Sequence, residues 1–167
     1  MPFRLRRTGL FALLVTGLTA PLHAAAGAAA GAGPIAIENA WSRATAPGQA
    51  VGVGYMTLVN SGATPDTLLE VSTPMAATVQ MHETTMNGGV MRMRELTEGI
   101  DLPAKSRVEL KPGGAHLMLM QLQAPLVPGT SLPVTLRFRN AGKLDVTFRI
   151  DSIATEQSRN KATGVRP

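Results

Sequence analysis

What most constrains this chain is how its apolar residues alternate. Leu132, Val134, Leu136 and Phe138 sit at every second position, as do Leu144, Val146, Phe148 and Ile150, and Val108 with Leu110. That is the period of a strand with one buried face. Turn sequences separate such runs: Asn60-Ser61-Gly62, Asn87-Gly88-Gly89, Lys111-Pro112-Gly113-Gly114, Val127-Pro128-Gly129 and Asn140-Ala141-Gly142. No window of helical length keeps a 3.6 period free of Gly or Pro. The expected strands are 35–43, 51–60, 67–73, 77–83, 89–96, 106–111, 115–122, 131–139 and 143–152. Many short strands in series predict an antiparallel β-sandwich or barrel. Asn140-Ala141-Gly142 is the expected hairpin turn between the last two strands.

The ends of the chain read differently. Residues 1–24 have the order of an export signal: Arg4, Arg6 and Arg7, then the apolar stretch Gly9 to Ala20, then small residues around Ala24. That apolar stretch is shorter than the roughly 20 residues a bilayer requires, so no membrane span is expected in the mature form. Residues 25–34 are Ala/Gly-rich and predict a flexible tether. Residues 35–152 form the expected sandwich domain, and 153–167 a disordered tail. The formal charge of +5 comes largely from the leader, and without its three arginines thirteen basic residues face eleven acidic ones, a balance of +2. No Lys/Arg run remains, and aromatic residues are only 4% of the chain, so nucleic acid is not an expected partner.

Zero cysteine excludes disulfides, thiolate metal sites and a blue-copper centre. The soft donors left are thioethers. Met81, Met86, Met91, Met93, Met118 and Met120 fall in one window together with His82 and His116, the two histidines beyond the leader. His116 and Met118, at i and i+2, share a strand face, leaving Leu117 and Leu119 for the core. Met91 and Met93 share one face, with Arg92 and Arg94 on the other. His82 is expected to end its strand, with Val79 and Met81 alternating away from it and Glu83 turned to the opposite face. Thioether selects Cu(I), and a neutral two-His, two-Met set suits a hard divalent ion poorly. Met also fills ordinary cores, so the pattern on its own leaves copper, zinc and plain packing open.

At these residues the chain resembles the periplasmic CuA-site copper chaperones, the PCuAC family. The resemblance covers about residues 38–150. It rests on His-x10-Met…His-x-Met within MHETTMNGGVMRMREL and ELKPGGAHLMLMQL, with Trp41-Ser42-Arg43 and Tyr55–Asn60 as matching early strands. It implies a cupredoxin-like Greek-key sandwich holding one Cu(I) per chain at His82, Met93, His116 and Met118. It also implies a periplasmic, non-enzymatic carrier that delivers copper to the CuA-bearing subunit of cytochrome c oxidase, alongside a Sco-type thiol protein. The Met93-to-His116 interval of twenty-two residues is one longer than in the family motif. The tail lacks the His and Met of some members' extensions, so a tail copper site is not expected.

Met81, Met86, Met91 and Met120 are then surplus thioethers, for packing or for a Met-rich rim. Trp41 and Arg43 are either structural or close to the site. Other functions remain as alternatives: general copper storage or tolerance, a zinc carrier, or a ligand-binding secreted module. Carbohydrate binding lacks exposed aromatics. Hydrolysis lacks a nucleophile–base–orienter set, since Ser72 or Ser106 with either histidine is a chance pairing.

Overall fold

The structure, a computed structural model, describes residues 30–152 and Thr155. Eleven strands follow one another: β1 (Ala30–Ala32), β2 (Ile35–Arg43), β3 (Val51–Asn60), β4 (Asp66–Ser72), β5 (Ala76–Asn87), β6 (Val90–Glu95), β7 (Ile100–Leu102), β8 (Ser106–Leu110), β9 (Ala115–Leu122), β10 (Ser131–Phe138) and β11 (Lys143–Asp151). The alternation in the sequence becomes alternation in burial. Leu132, Val134, Leu136 and Phe138 face the core from β10, and Leu144, Val146, Phe148 and Ile150 face it from β11. Their register opposes Leu132 to Phe148, Val134 to Val146 and Leu136 to Leu144, so apolar side chains meet across the hairpin.

The strands pair in the order β6-β5-β9-β3-β2-β11-β10-β4-β7, with β1 added to β2 and β8 to β3. The path bends at β3, whose residues 51–54 pair with β9 while 56–60 pair with β8. Folding on itself in this way brings two layers face to face. At Gly54 a side chain would meet the Phe148 ring and Leu117 Cβ from opposite layers. The result is the expected all-β Greek-key sandwich, with one exception to its antiparallel pairing: β11 runs parallel to β2 at Arg149–Asp151.

Several expectations change. β5 continues to Asn87 instead of ending at residue 83, because β6 supplies a partner for its outer half. β7 has only three residues, too few for a readable period. Residues 30–32 of the expected tether are β1, paired with Ile35–Ile37. The expected export signal, 1–24, and nearly all of the expected tail, 153–167, lie outside the described residues.

Two local devices fix the far end of the sandwich. Asp66 accepts backbone N–H bonds from Thr67 at 2.7 Å, Asn140 at 2.9 Å and Ala141 at 2.9 Å, which ties the start of β4 to the β10–β11 turn. Burial pushes this carboxyl up, but the amides of Asn140, Thr67, Ala141 and Arg139 outweigh burial and hold it below its ordinary value. Gly99 has φ +93°, and a Cβ there would overlap the Leu68 carbonyl oxygen.

Two predictions follow from these contacts. Gly99→Ala lowers the unfolding free energy by at least ~2 kcal/mol, since overlap adds to the penalty of a left-handed non-glycine residue; urea denaturation measures it. Asp66 stabilises the fold fully above its ordinary value of 3.8, and that contribution is lost as the pH falls through its lower folded-state value. The stability gap between wild type and Asp66→Asn should therefore narrow as denaturation is repeated from about pH 6 to about pH 2.

Candidate metal centre

The centre is built by register. β5 and β9 pair antiparallel with Val79 opposite Leu119, Met81 opposite Leu117 and His82 opposite His116. Met81, Leu117 and Leu119 are buried in the core. Alternation then sends both histidines to the other face of the sheet. Their ring centroids lie 6.0 Å apart with planes tilted by 42°. Met118, two residues after His116, shares that face and lies opposite Gln80.

The third strand of the site is β6. It pairs with β5 so that Glu95 opposes His82, Met93 opposes Thr84 and Met91 opposes Met86. Met93 therefore stands diagonally from His82, on the side away from Met118. The four expected ligands share one sheet face. The histidines meet directly, and the two thioethers flank them on either side. Met93 is 52% exposed, so neighbouring side chains leave it free to swing toward the imidazoles.

Hydrogen bonds orient both rings. His116 Nδ1 lies 3.0 Å from the Gly114 carbonyl oxygen. A carbonyl only accepts, so Nδ1 carries the proton and Nε2 keeps its lone pair. His82 Nε2 contacts Gln80 Oε1 at 3.3 Å, leaving Nδ1 as the acceptor nitrogen. That Nδ1 is buried and has no hydrogen-bond partner among the described residues. A ligating histidine typically donates its other ring N–H to a carbonyl or amide acceptor, and both rings here are arranged that way. Among the described residues no three His, Cys, Asp or Glu side chains are placed to hold a metal ion. The thioethers of Met118 and Met93 are the soft donors that the register sets on the same face as the histidine pair.

The structure corrects several sequence expectations. His82 lies in the middle of β5 and not at its end. Met81 is 8% exposed and faces the core, away from the histidines, so it is no auxiliary donor. Met86, Met91 and Met120 do lie on the histidine face. Glu83 takes the opposite face, where it holds Arg94 at 2.8 Å. Sequence reasoning missed Gln80 and Glu95. Gln80 follows the i, i+2 rule from His82 and could have been found. Glu95 depends on a register that a strand ending at residue 83 cannot supply. Trp41 is buried and packs against Tyr55, with centroids 4.6 Å apart and planes tilted by 36°. Tyr55 follows Val53, Met118's partner on β3, along the same face.

An open sheet face with two oriented imidazoles and flanking thioethers defines a class of protein: a β-sandwich carrier for a soft metal ion. Residues 35–150 match the family described as "Putative lipoprotein LpqE-like", and the chain belongs to that family. It is 34% identical over 151 residues to "Putative lipoprotein Lxx21020" of Leifsonia xyli subsp. xyli (strain CTCB07), covering 88% of this chain and 90% of the relative. The 167 residues here contain no cysteine to which a thioether-linked lipid could be joined. Among solved structures, the copper-bound PCuAC domain from PmoF2 superposes with a TM-score of 0.64 at 30% identity, covering 75% of this chain and 98% of that one. The solution structure of CuI-DR1885 from Deinococcus radiodurans gives 0.57 at 28% identity, covering 76% and 81%. The PCuAC kinship expected from the His/Met motif is thereby shown.

The hydrogen bonds predict specific ring states. In the metal-free protein at mildly alkaline pH, long-range proton–nitrogen NMR should find His116 as the Nδ1–H tautomer and His82 as the Nε2–H tautomer. The reverse tautomer on either ring would contradict the assigned acceptor nitrogens.

Proposed function

We propose that this protein is a Cu(I) carrier of the cell envelope, binding one ion per chain through His82, Met93, His116 and Met118. It passes the ion toward the CuA site of cytochrome c oxidase, alongside a Sco-type thiol protein. The observation that carries the reading is the His82–His116 pair on the sheet face turned away from the Met81–Leu117 core, with an unpartnered, buried Nδ1 on His82. Kinship with PCuAC domains whose structures contain copper supports the choice of metal. So does the donor chemistry, since neutral imidazole and thioether favour Cu(I).

Such a site suits handover. The exposed Met93 on edge strand β6 gives an incoming ligand its way to the ion, while the imidazole end is buried. An acceptor's thiolates can replace the thioethers one at a time, with copper remaining Cu(I) throughout. Nothing in this scheme requires catalysis. Copper storage would use the same ligands but would not load an acceptor.

Anaerobic competition against a chromophoric Cu(I) chelator tests the reading. One Cu(I) per chain is expected. His116→Ala and Met118→Leu should each weaken binding by more than ~10-fold, the lower end of the loss seen even for outer-shell partners. Transfer of the bound ion to a metal-free CuA domain separates delivery from storage. Tight zinc binding with no Cu(I) uptake would overturn the proposal.

A further inference from the structure

The outer half of the β5–β6 hairpin has no third strand beneath it. β9 pairs with β5 only as far as Ala115 opposite Glu83, and the last tie is the Thr84 N–H to the Gly114 carbonyl at 3.1 Å. Beyond that row the two strands form a free ribbon closed by Gly88 and Gly89, with φ of +58° and +80°. Left-handed φ at both central residues makes a type I′ turn, whose twist matches the strands. This two-residue turn sets Asn87 opposite Val90 and therefore Met86 opposite Met91, with Met93 next along the same face.

These methionines have no packing role. Met86 is 69% exposed and Met91 62% exposed, whereas a gap-filling methionine is buried. Opposed Cβ atoms lie ~4.5–5.5 Å apart and diagonal ones ~7–8 Å, within reach of flexible side chains. Arg92 and Arg94 leave from the other face of the ribbon, and Arg94 is paired with Glu83. The thioether face is exposed and free of both arginines, and the charged residue next along it from Met93 is Glu95.

We propose that Met86, Met91 and Met93 form a second, outer Cu(I) site that captures the ion and passes it inward. The proposal rests on the Cu(I) reading above, and Met93 is the donor common to both sites. Three neutral thioethers hold a soft monovalent ion without imidazole, so the outer site binds more weakly and the ion moves downhill. In the transfer, bonds to the Met86 and Met91 sulfurs break while bonds to the His82 and His116 nitrogens and the Met118 sulfur form. Copper stays Cu(I), and no electron is transferred.

The test is anaerobic titration of methyl-13C-methionine-labelled protein with Cu(I), followed by NMR. In the wild type the first equivalent should move the Met93 and Met118 methyls and both histidine rings. In the His82→Ala/His116→Ala variant, which lacks the inner imidazoles, Cu(I) should instead move the Met86, Met91 and Met93 methyls. The double variant Met86→Leu/Met91→Leu should still take the first equivalent, but load more slowly from a Cu(I) chelate. Met86 and Met91 methyls that stay still in that histidine variant would overturn the proposal, as would a Met86→Leu/Met91→Leu variant that loads at the wild-type rate. A first equivalent that leaves both rings and the Met118 methyl unmoved would instead overturn the inner site, and the outer group is then judged by its own methyl shifts.

Discussion

Everything in the site depends on one pairing, that of β5 with β9. Met81 opposite Leu117 and Val79 opposite Leu119 turn inward, and their burial holds the two strands in step. Leu117 is 1% exposed; losing such a buried leucine side chain costs about 2–5 kcal/mol. A slip of one residue would turn these apolar groups to water and the histidines into the core. The core's preference for apolar contacts thus acts at one remove on the sheet's outer face. It sets His82 against His116 without any contact between the rings having to supply the energy.

The two ends of the site differ in how firmly they are held. His116 is buried, hydrogen-bonded to Gly114 and carried on a strand flanked by β3 and β5. Met93 sits on an edge strand whose six residues are all exposed. A carrier needs both properties. In the proposed carrier the pair of imidazoles would define where the ion rests, and the loosely held thioether would let a competing ligand enter. The edge position of β6, which would be a liability in an ordinary sheet, is what leaves the thioether face open.

Most of this architecture was legible in the sequence because burial on one face writes itself as alternation. β2, β3 and β9 fall on the expected residues, and the β10–β11 hairpin turns where Asn140-Ala141-Gly142 predicts. The common face of His116 and Met118 follows from strand period alone. What was not legible has physical reasons. β7 is shorter than one readable period. The outer half of β5, from His82 to Asn87, has Met86 as its one apolar side chain, because one face meets solvent and the other carries the site, so no alternation extended it past residue 83. With its true length unknown, neither the Glu95–His82 pairing nor the Met86–Met91 pairing could be registered. The assignment of Met81 to the core needed no structure beyond the alternation that already turned it from His82.

The central claim is that two imidazoles and two thioethers surround a single Cu(I). X-ray absorption at the copper edge, on protein loaded with one equivalent, tests it most directly. The account predicts two nitrogen and two sulfur scatterers, with one sulfur lost in Met118→Leu and one nitrogen lost in His82→Ala. A first shell without sulfur, or one unchanged by either substitution, would contradict it.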